Sequence, residues 1–416
     1  MADESLHRSA RAVLAFGVVA GLAYAATTVP LKPDQVGLAS DVYYHAAVAL
    51  LNGDDLYAVT PPDRPGYRFL YPPVIVLLFL PHAALGGETA AFVLQTALNL
   101  GVGLGTAAVL WRALARRGVR LKRSDRALLV AFVLFSTHGI PQVIMGQTTL
   151  WLGFALAIGF DALDRGRGEV AGIAFAAAAL VKVFPAVVGL WLLRRRSWRA
   201  VVAALGTGLG GLLLGVITLG PERTRQYFVE VLLGRFEDRS VGATPDPWST
   251  VASVHRHLVA LTDLDPGLFT PIALVLLAPF LLVCYQRVDG DERRLAAILG
   301  TLVATLLVLP LHPLYFPLLT YPLVVLLYVL PVGRARTMLV VGTLFTYVLV
   351  GFETVVIALE VLPLPSAVDA SLLGVAETVF VAILPATIGL WLLLVACVLV
   401  HRDGTATPRP VTSPAD

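Results

Sequence analysis

Long apolar stretches follow one another along almost the whole chain, and short polar connections separate them. Several are shorter than the roughly 20 residues that a perpendicular membrane span needs. The pattern predicts an all-α polytopic membrane protein with a bundle of about 12 transmembrane helices. The runs are 12–28, 88–111, 127–140, 148–163, 170–181, 184–193, 200–219, 268–286, 295–310, 316–330, 338–359 and 377–400.

Composition supports the same class. The 416 residues are 57% hydrophobic and only 14% charged, whereas soluble domains carry about 25% charged residues. The net charge of +3 is too small to indicate a nucleic-acid partner. Cys284 and Cys397 both lie in apolar runs, so the sequence predicts neither a disulfide framework nor a metal site. No nucleotide-binding motif is present, and we expect no cofactor.

The positions of Lys and Arg predict the topology, because these residues mark cytoplasmic loops. The clusters at 112–126, 194–199, 287–294 and 334–336 place residues 30–87 and 220–267 outside as two long loops. Residues 72–85 then form an interfacial or re-entrant segment. Residues 1–403 are predicted to be one multi-pass domain of the cell membrane, followed by a disordered tail at 404–416.

The first outer loop, 30–87, carries an acidic and tyrosine-rich segment. A juxtamembrane helix is predicted over 42–51, with Ser40 or Asp41 as its cap and Asn52-Gly53 at its end. Asp41, Tyr44 and His45 fall at i, i+3 and i+4 and so share one face. Such a helix would hold its carboxylate at the lipid headgroup level. Alternatively, Asp41 only caps the helix.

Two further polar residues are predicted on the same side of the membrane. Lys182 lies at the outer turn of an apolar hairpin, where an ionisable residue is a functional hypothesis by default. The alternative is that its long side chain only reaches the interface. Gln147 lies at the outer end of a short span, either as a helix cap or as a hydrogen-bonding group for a sugar.

These residues carry a resemblance. The run Ser40 to Tyr57, the Tyr71-Pro72-Pro73 element, Gly146-Gln147-Thr148-Thr149-Leu150 and Lys182-Val183-Phe184-Pro185 occur in the order and spacing of glycosyltransferase family 87. They resemble that family over residues 10–200. The second half departs from the family pattern, with Pro245 to Thr250 and Leu309 to Tyr315 in place of its later motifs. These departures bear on acceptor choice more than on reaction type.

The resemblance implies a GT-C-like membrane enzyme with an outer-face active site. It would move a mannose- or arabinofuranose-like sugar from a polyprenyl-phosphate donor to a glycan or glycolipid acceptor, with inversion. Asp41 is the expected general base. The basic residues expected at the donor phosphate are Lys182, His312, Arg68 and Arg256. The residues expected to bind substrate are Tyr44, His45, Tyr71, Gln147 and Trp248; the aromatic ones alternatively lie in the membrane interface.

Two other functions fit a polytopic membrane protein. A transporter or flippase of a lipid-linked sugar would usually contain an internal repeat, and the two halves show no convincing one. A noncatalytic membrane subunit would use the outer polar residues only to cap helices.

The arginine clusters generate a first prediction, which concerns topology. Introduced cysteines should be labelled from outside the cell near Tyr57, Thr244 and Pro365. Cysteines at Arg120, Ser197 or Asp289 should react only after the membrane is permeabilised. Labelling at Ser197 in intact cells would overturn the arrangement.

Overall fold

The computed structural model describes residues 2–234, 246–361 and 365–402. In this part of the chain every regular element is helical, which confirms the predicted all-α class. The predicted tail 404–416, position Thr244 and part of the second outer loop lie outside the described residues.

The α-helices are numbered in chain order over the described residues. They are α1 Ala2–Leu31, α2 Leu38–Asn52, α3 Leu80–Ala84, α4 Glu88–Arg116, α5 Arg123–Phe135, α6 Ile140–Met145, α7 Thr149–Asp164, α8 Gly168–Val181, α9 Val188–Arg194, α10 Trp198–Leu219, α11 Pro221–Gln226, α12 Val254–Leu261, α13 Phe269–Gln286, α14 Asp291–Val308, α15 Thr320–Val329, α16 Arg334–Thr346, α17 Phe352–Val361, α18 Ser366–Ala382 and α19 Pro385–Arg402. The 3₁₀ segments are Pro33–Gln35, Pro73–Phe79, Phe184–Val187, Pro266–Leu268 and Pro313–Leu319, and Tyr227–Leu233 is a π-helix.

Five of the described helical stretches are long and apolar enough to cross a membrane. Shorter apolar helices, such as Gly168–Val181 and Phe184–Arg194, lie between them. The multi-pass character is therefore supported by the structure, whereas the number of about 12 spans stays a prediction. The five stretches are His7–Leu31, Glu88–Arg116, Trp198–Leu219, Pro266–Gln286 and Ser366–Arg402.

Small residues let several helices approach closely. A Cβ atom on Gly172 in α8 would lie 2.2 Å from the carbonyl oxygen of Ala200 in α10. Gly342 in α16 and Gly389 in α19 meet in the same way, since a Cβ on Gly389 would lie 2.8 Å from the Gly342 oxygen. Between helices in lipid the hydrophobic effect gives no driving force for association, so the van der Waals packing of closely spaced backbones stabilises the helix pairs instead.

One end of the bundle is tied by ion pairs between helix termini. Arg117 contacts Asp164 at 2.6 Å and Asp291 at 3.2 Å, which joins α4, α7 and α14. Arg11 contacts Asp125 at 2.5 Å and joins α1 to α5. These residues belong to the stretches predicted to face the cytoplasm, and the contacts gather them at a common end.

The first outer loop differs in detail from the prediction. α2 begins at Leu38 rather than at residue 42, so Asp41 lies in its first turn and is not its cap. Gly53 ends the helix in the left-handed conformation, as expected from Asn52-Gly53. Residues 72–85 form a 3₁₀ helix followed by the five-residue α3, which is too short to span a bilayer.

Candidate functional site

The start of α2 is fixed by two glycines. Gly37 occupies the cap position at φ 73°, where a side chain is disfavoured, and its amide donates to the Ile144 carbonyl at 2.9 Å. Gly146 has φ 68°, and a Cβ there would lie 2.9 Å from the Cβ of Ser40. The turn after α6 therefore lies directly against the first turn of α2. This tertiary contact replaces the side-chain cap expected from Ser40 or Asp41.

Asp41 is buried at 8% exposure and forms an ion pair with Arg64. The Nη1 atom of Arg64 lies 2.8 Å from Oδ2 of Asp41, and its Nη2 donates to the Val36 carbonyl at 2.8 Å. Desolvation raises the pKa of Asp41 above its ordinary value, although the Arg64 charge opposes the shift. A carboxylate with a raised pKa is a stronger base than an exposed one.

The predicted polar face of α2 is present. His45 contacts Glu88 of α4, with 2.6 Å between Nε2 and Oε1, and the Tyr44 ring lies 5.2 Å from the His45 ring. Both side chains are only partly buried. Asp41, Tyr44 and His45 thus line one side of the helix, as their spacing predicts.

A cluster of phenols lies on another side of α2. The hydroxyl of Tyr43 lies 2.7 Å from that of Tyr71 and donates to Oε1 of Gln147 at 3.2 Å. Tyr71 also contacts the Thr148 hydroxyl at 3.4 Å. Burial raises the pKa of Tyr43 to about 12, so this phenol is neutral at physiological pH. The cluster joins three separate motifs of the sequence: the α2 segment, the Tyr-Pro-Pro element and the Gly-Gln turn.

Lys182 adjoins this cluster from the turn between α8 and Phe184–Val187. Its ammonium donates to the Tyr315 hydroxyl at 2.7 Å and lies 4.6 Å and 5.2 Å from the ring centroids of Tyr315 and Tyr71. Desolvation lowers the pKa of Lys182, but the contacts with Tyr315 and Tyr71 outweigh it and raise the pKa overall. The side chain is directed into the protein, which argues against a lysine that only reaches the interface.

A buried amide network supports the Gly146-Gln147 turn. Asn99 of α4 donates from Nδ2 to the carbonyls of Gln142 and Gln147, at 3.2 Å and 3.1 Å. Its Oδ1 accepts from the Trp151 indole at 2.9 Å. Gln142 in turn donates to the Leu314 carbonyl at 2.9 Å, one residue before Tyr315. The network therefore connects α4, the Gly-Gln turn and the segment that holds the Lys182 partner.

His312 lies on that same segment. Its Nδ1 lies 2.8 Å from the Thr250 hydroxyl, and its carbonyl accepts the Tyr315 amide at 3.1 Å. His312 is thus at the same end of the bundle as Lys182, three residues from the tyrosine that the lysine contacts. The residue is exposed.

Three predicted site residues lie elsewhere. Arg256 is buried, and its guanidinium donates to the carbonyls of Val251, Ser249 and Phe380. These bonds hold the second outer loop against α18, so the guanidinium of Arg256 has protein partners where the sequence predicts a phosphate ligand. Arg68 is exposed and lines a separate cavity beside Tyr57 and Phe69. Trp248 is 55% exposed, and its ring meets Phe352 edge-on at 5.0 Å.

Sequence reasoning missed the residues that position these groups. Arg64, the partner of Asp41, lies in an irregular stretch without a motif, and only its charge in an outer loop marked it. Tyr315 lies in the stretch from Leu309 to Tyr315, in which the sequence indicates only His312 as a candidate site residue. Asn99 carries no charge and lies in an apolar run, so it does not stand out in the sequence. The one feature that could have indicated its role is a polar side chain at membrane depth.

Residues 69–310, more than half of the chain, match the family described as glycosyltransferase family 87. The chain belongs to glycosyltransferase family 87. The Tyr71, Gln147 and Lys182 motifs described above lie inside the matched region of family 87, whereas Asp41 precedes it.

Two curated relatives are informative. A polyprenol-phosphate-mannose-dependent alpha-(1-2)-phosphatidylinositol pentamannoside mannosyltransferase of Mycolicibacterium smegmatis is 26% identical over 321 residues, which cover 75% of this chain and 73% of the relative. An adenosylcobinamide-GDP ribazoletransferase of Albidiferax ferrireducens is 29% identical over 192 residues, which cover 46% of this chain and 56% of that protein. No solved structure matches significantly. Family 87 membership and the first relative support a membrane glycosyltransferase.

Proposed function

We propose that the protein transfers a mannose- or arabinofuranose-like sugar from a polyprenyl-phosphate donor to a glycan or glycolipid acceptor at the extracytoplasmic face of the cell membrane. The observation that carries the proposal is the half-buried ammonium of Lys182, which contacts Tyr71 and Tyr315 at the bundle end that also holds Asp41. Family membership and the mannosyltransferase relative support the same chemistry.

The basic groups suit the donor phosphate. Lys182 carries a positive charge in a low-dielectric site, where it stabilises a departing phosphate more strongly than it would in water. His312 reaches the same end of the bundle from Pro313–Leu319 and adds a second hydrogen-bond donor. The phenol of Tyr71 lies beside the ammonium, and the amide of Gln147 contacts Tyr43 in the same phenol cluster. Both groups can bind sugar hydroxyls.

Asp41 provides the base in this proposal. Its carboxylate takes the proton of an acceptor hydroxyl while the hydroxyl oxygen attacks the anomeric carbon of the donor sugar. The bond from that carbon to the phosphate oxygen breaks, and the polyprenyl phosphate leaves with the electron pair. A single displacement of this kind inverts the anomeric configuration. Tyr44 and His45 on the same helix face are placed to contact the acceptor.

The decisive experiment is a membrane assay with a panel of radiolabelled polyprenyl-phosphate sugars. Wild-type protein should transfer one of them, and Asp41→Asn should lower transfer by roughly 100-fold while the protein still inserts and purifies normally. The matched control is Asp34→Asn, since Asp34 is an exposed aspartate of the same outer loop. Near-normal turnover in Asp41→Asn would remove the catalytic assignment and direct attention to Asp54 or Asp55.

A second prediction concerns Lys182. Lys182→Ala should weaken donor binding and slow the departure of the phosphate, whereas Lys182→Arg should keep part of the activity because the charge is retained and the geometry is not. Lys32→Ala is the control, because Lys32 is an outer lysine in a half-exposed ion pair with Glu353. Full activity in Lys182→Ala would return this residue to a structural role.

A third prediction uses the ion pair of Asp41. Arg64 lowers the pKa of Asp41, so Arg64→Gln should raise that pKa further. The base acts only when ionised, and the acidic limb of the pH–rate profile should therefore move to higher pH. Arg64→Lys keeps the charge and should move the limb less. A limb that stays in place or moves to lower pH in Arg64→Gln contradicts the assignment.

A further inference from the structure

A cavity with several polar side chains lies beside the phenol cluster. It has a volume of about 380 Å³ and is lined by part of the first outer loop and by the π-helix Tyr227–Leu233. This volume falls within the range of roughly 300–1,000 Å³ typical of small-ligand sites. Its polar lining consists of Asp55, Arg68, Gln226 and Glu230.

The cavity combines both kinds of hydrogen-bonding group. Asp55 and Glu230 only accept hydrogen bonds when ionised, and Arg68 only donates them. Asp55 is already oriented, since its Oδ1 accepts the Tyr57 amide at 2.9 Å and its Oδ2 accepts from Gln226 Nε2 at 2.9 Å. Sugar hydroxyls both donate and accept, so they match this lining. A phosphate matches it poorly, because two carboxylates would repel it.

The cavity adjoins the proposed reaction site through Tyr71. The Tyr57 hydroxyl donates to the Tyr71 carbonyl at 2.9 Å, and the Phe69 ring lies 5.2 Å from the Tyr71 ring. Tyr57 and Phe69 both line the cavity, while the Tyr71 hydroxyl contacts Tyr43. Tyr71 therefore contacts both the lining of the cavity and the Lys182 ammonium.

We propose that this cavity binds the sugar portion of the acceptor, with Glu230, Asp55 and Arg68 bonded to its hydroxyls. The inference rests on the proposed glycosyl transfer and assigns Arg68 to the acceptor rather than to the donor phosphate. The lining recognises hydroxyls, and these belong either to a free oligosaccharide or to the glycan of a glycolipid.

The test measures binding and kinetics separately on the full-length protein in nanodiscs. Binding probes are mannose and arabinofuranose oligosaccharides, each free and attached to a lipid. Wild type should bind one sugar type, and Glu230→Gln and Arg68→Gln should each weaken that binding roughly tenfold or more, because each variant removes a charged hydrogen-bonding group. Binding of only the lipid-attached form would assign the site to a glycolipid, and equal binding of both forms would assign it to the glycan alone.

The control is Glu222→Gln, a change to an exposed glutamate of α11 that pairs with Arg225. It should bind the probes as wild type does. In the transfer assay, Glu230→Gln and Arg68→Gln should raise the KM for the acceptor about tenfold and leave the KM for the donor unchanged. Unchanged probe binding in both variants, a raised donor KM, or no binding of any probe by wild type would overturn the proposal.

Failure of this inference is distinguishable from failure of the proposed function. If Asp41→Asn abolishes transfer and the cavity variants behave as wild type, the reaction stands and the acceptor site lies elsewhere. If wild type binds an oligosaccharide in this cavity but transfers no sugar from any polyprenyl phosphate, the cavity stands and the proposed reaction does not.

Discussion

The end of the bundle that holds Asp41 and Lys182 depends on the hydrogen bonds of one buried amide, Asn99. The chain between α5 and α7 is broken by the short α6 and by two turns, and its backbone groups lie where water is scarce. Backbone polar groups at membrane depth must find partners inside the protein. The side-chain amide of Asn99 donates hydrogen bonds to the carbonyls of Gln142 and Gln147. The turn held in this way carries Gly146 against Ser40, and so sets the position of α2 and its Asp41.

The same end of the bundle keeps a cation away from bulk water. Placing an ammonium beside α8 costs free energy unless polar or π-electron partners compensate for its lost hydration. Tyr315 and Tyr71 provide both kinds of contact. Both partners are phenols rather than carboxylates, so in the proposed function an anionic ligand would complete the electrostatic balance of the site.

Part of this arrangement could be read from the sequence. The arginine clusters on either side predict an up-and-down pair of apolar helices with Lys182 at the turn between them, and α8 does end at Val181. The Lys182 partner Tyr315 lies 133 residues away, and no local spacing indicates such a contact. The start of α2 was misplaced for a related reason. Ser40 and Asp41 are good capping residues, but a tertiary bond from the Gly37 amide to Ile144 fixes the start instead.

The position of Arg256 could not be predicted for a different reason. An arginine in an outer loop is expected to be available for a ligand, because a guanidinium is costly to bury. Here the backbone carbonyls of residues near 250 and 380 take up its donors. Charge and loop position predict that an arginine needs acceptors, but they do not say whether those acceptors are a ligand or the protein itself.

The position of Asp41 restricts where the reaction can occur. Successive residues of an α-helix are rotated by about 100°, so Asp41 and Tyr43 face nearly opposite sides of α2. In the proposed reaction, the lysine that binds the donor and the carboxylate that acts as base therefore lie on different sides of this helix, and the attacking hydroxyl has to reach between them. Asp41 lies in the first turn of α2, where the positive end of the helix dipole favours an ionised carboxylate.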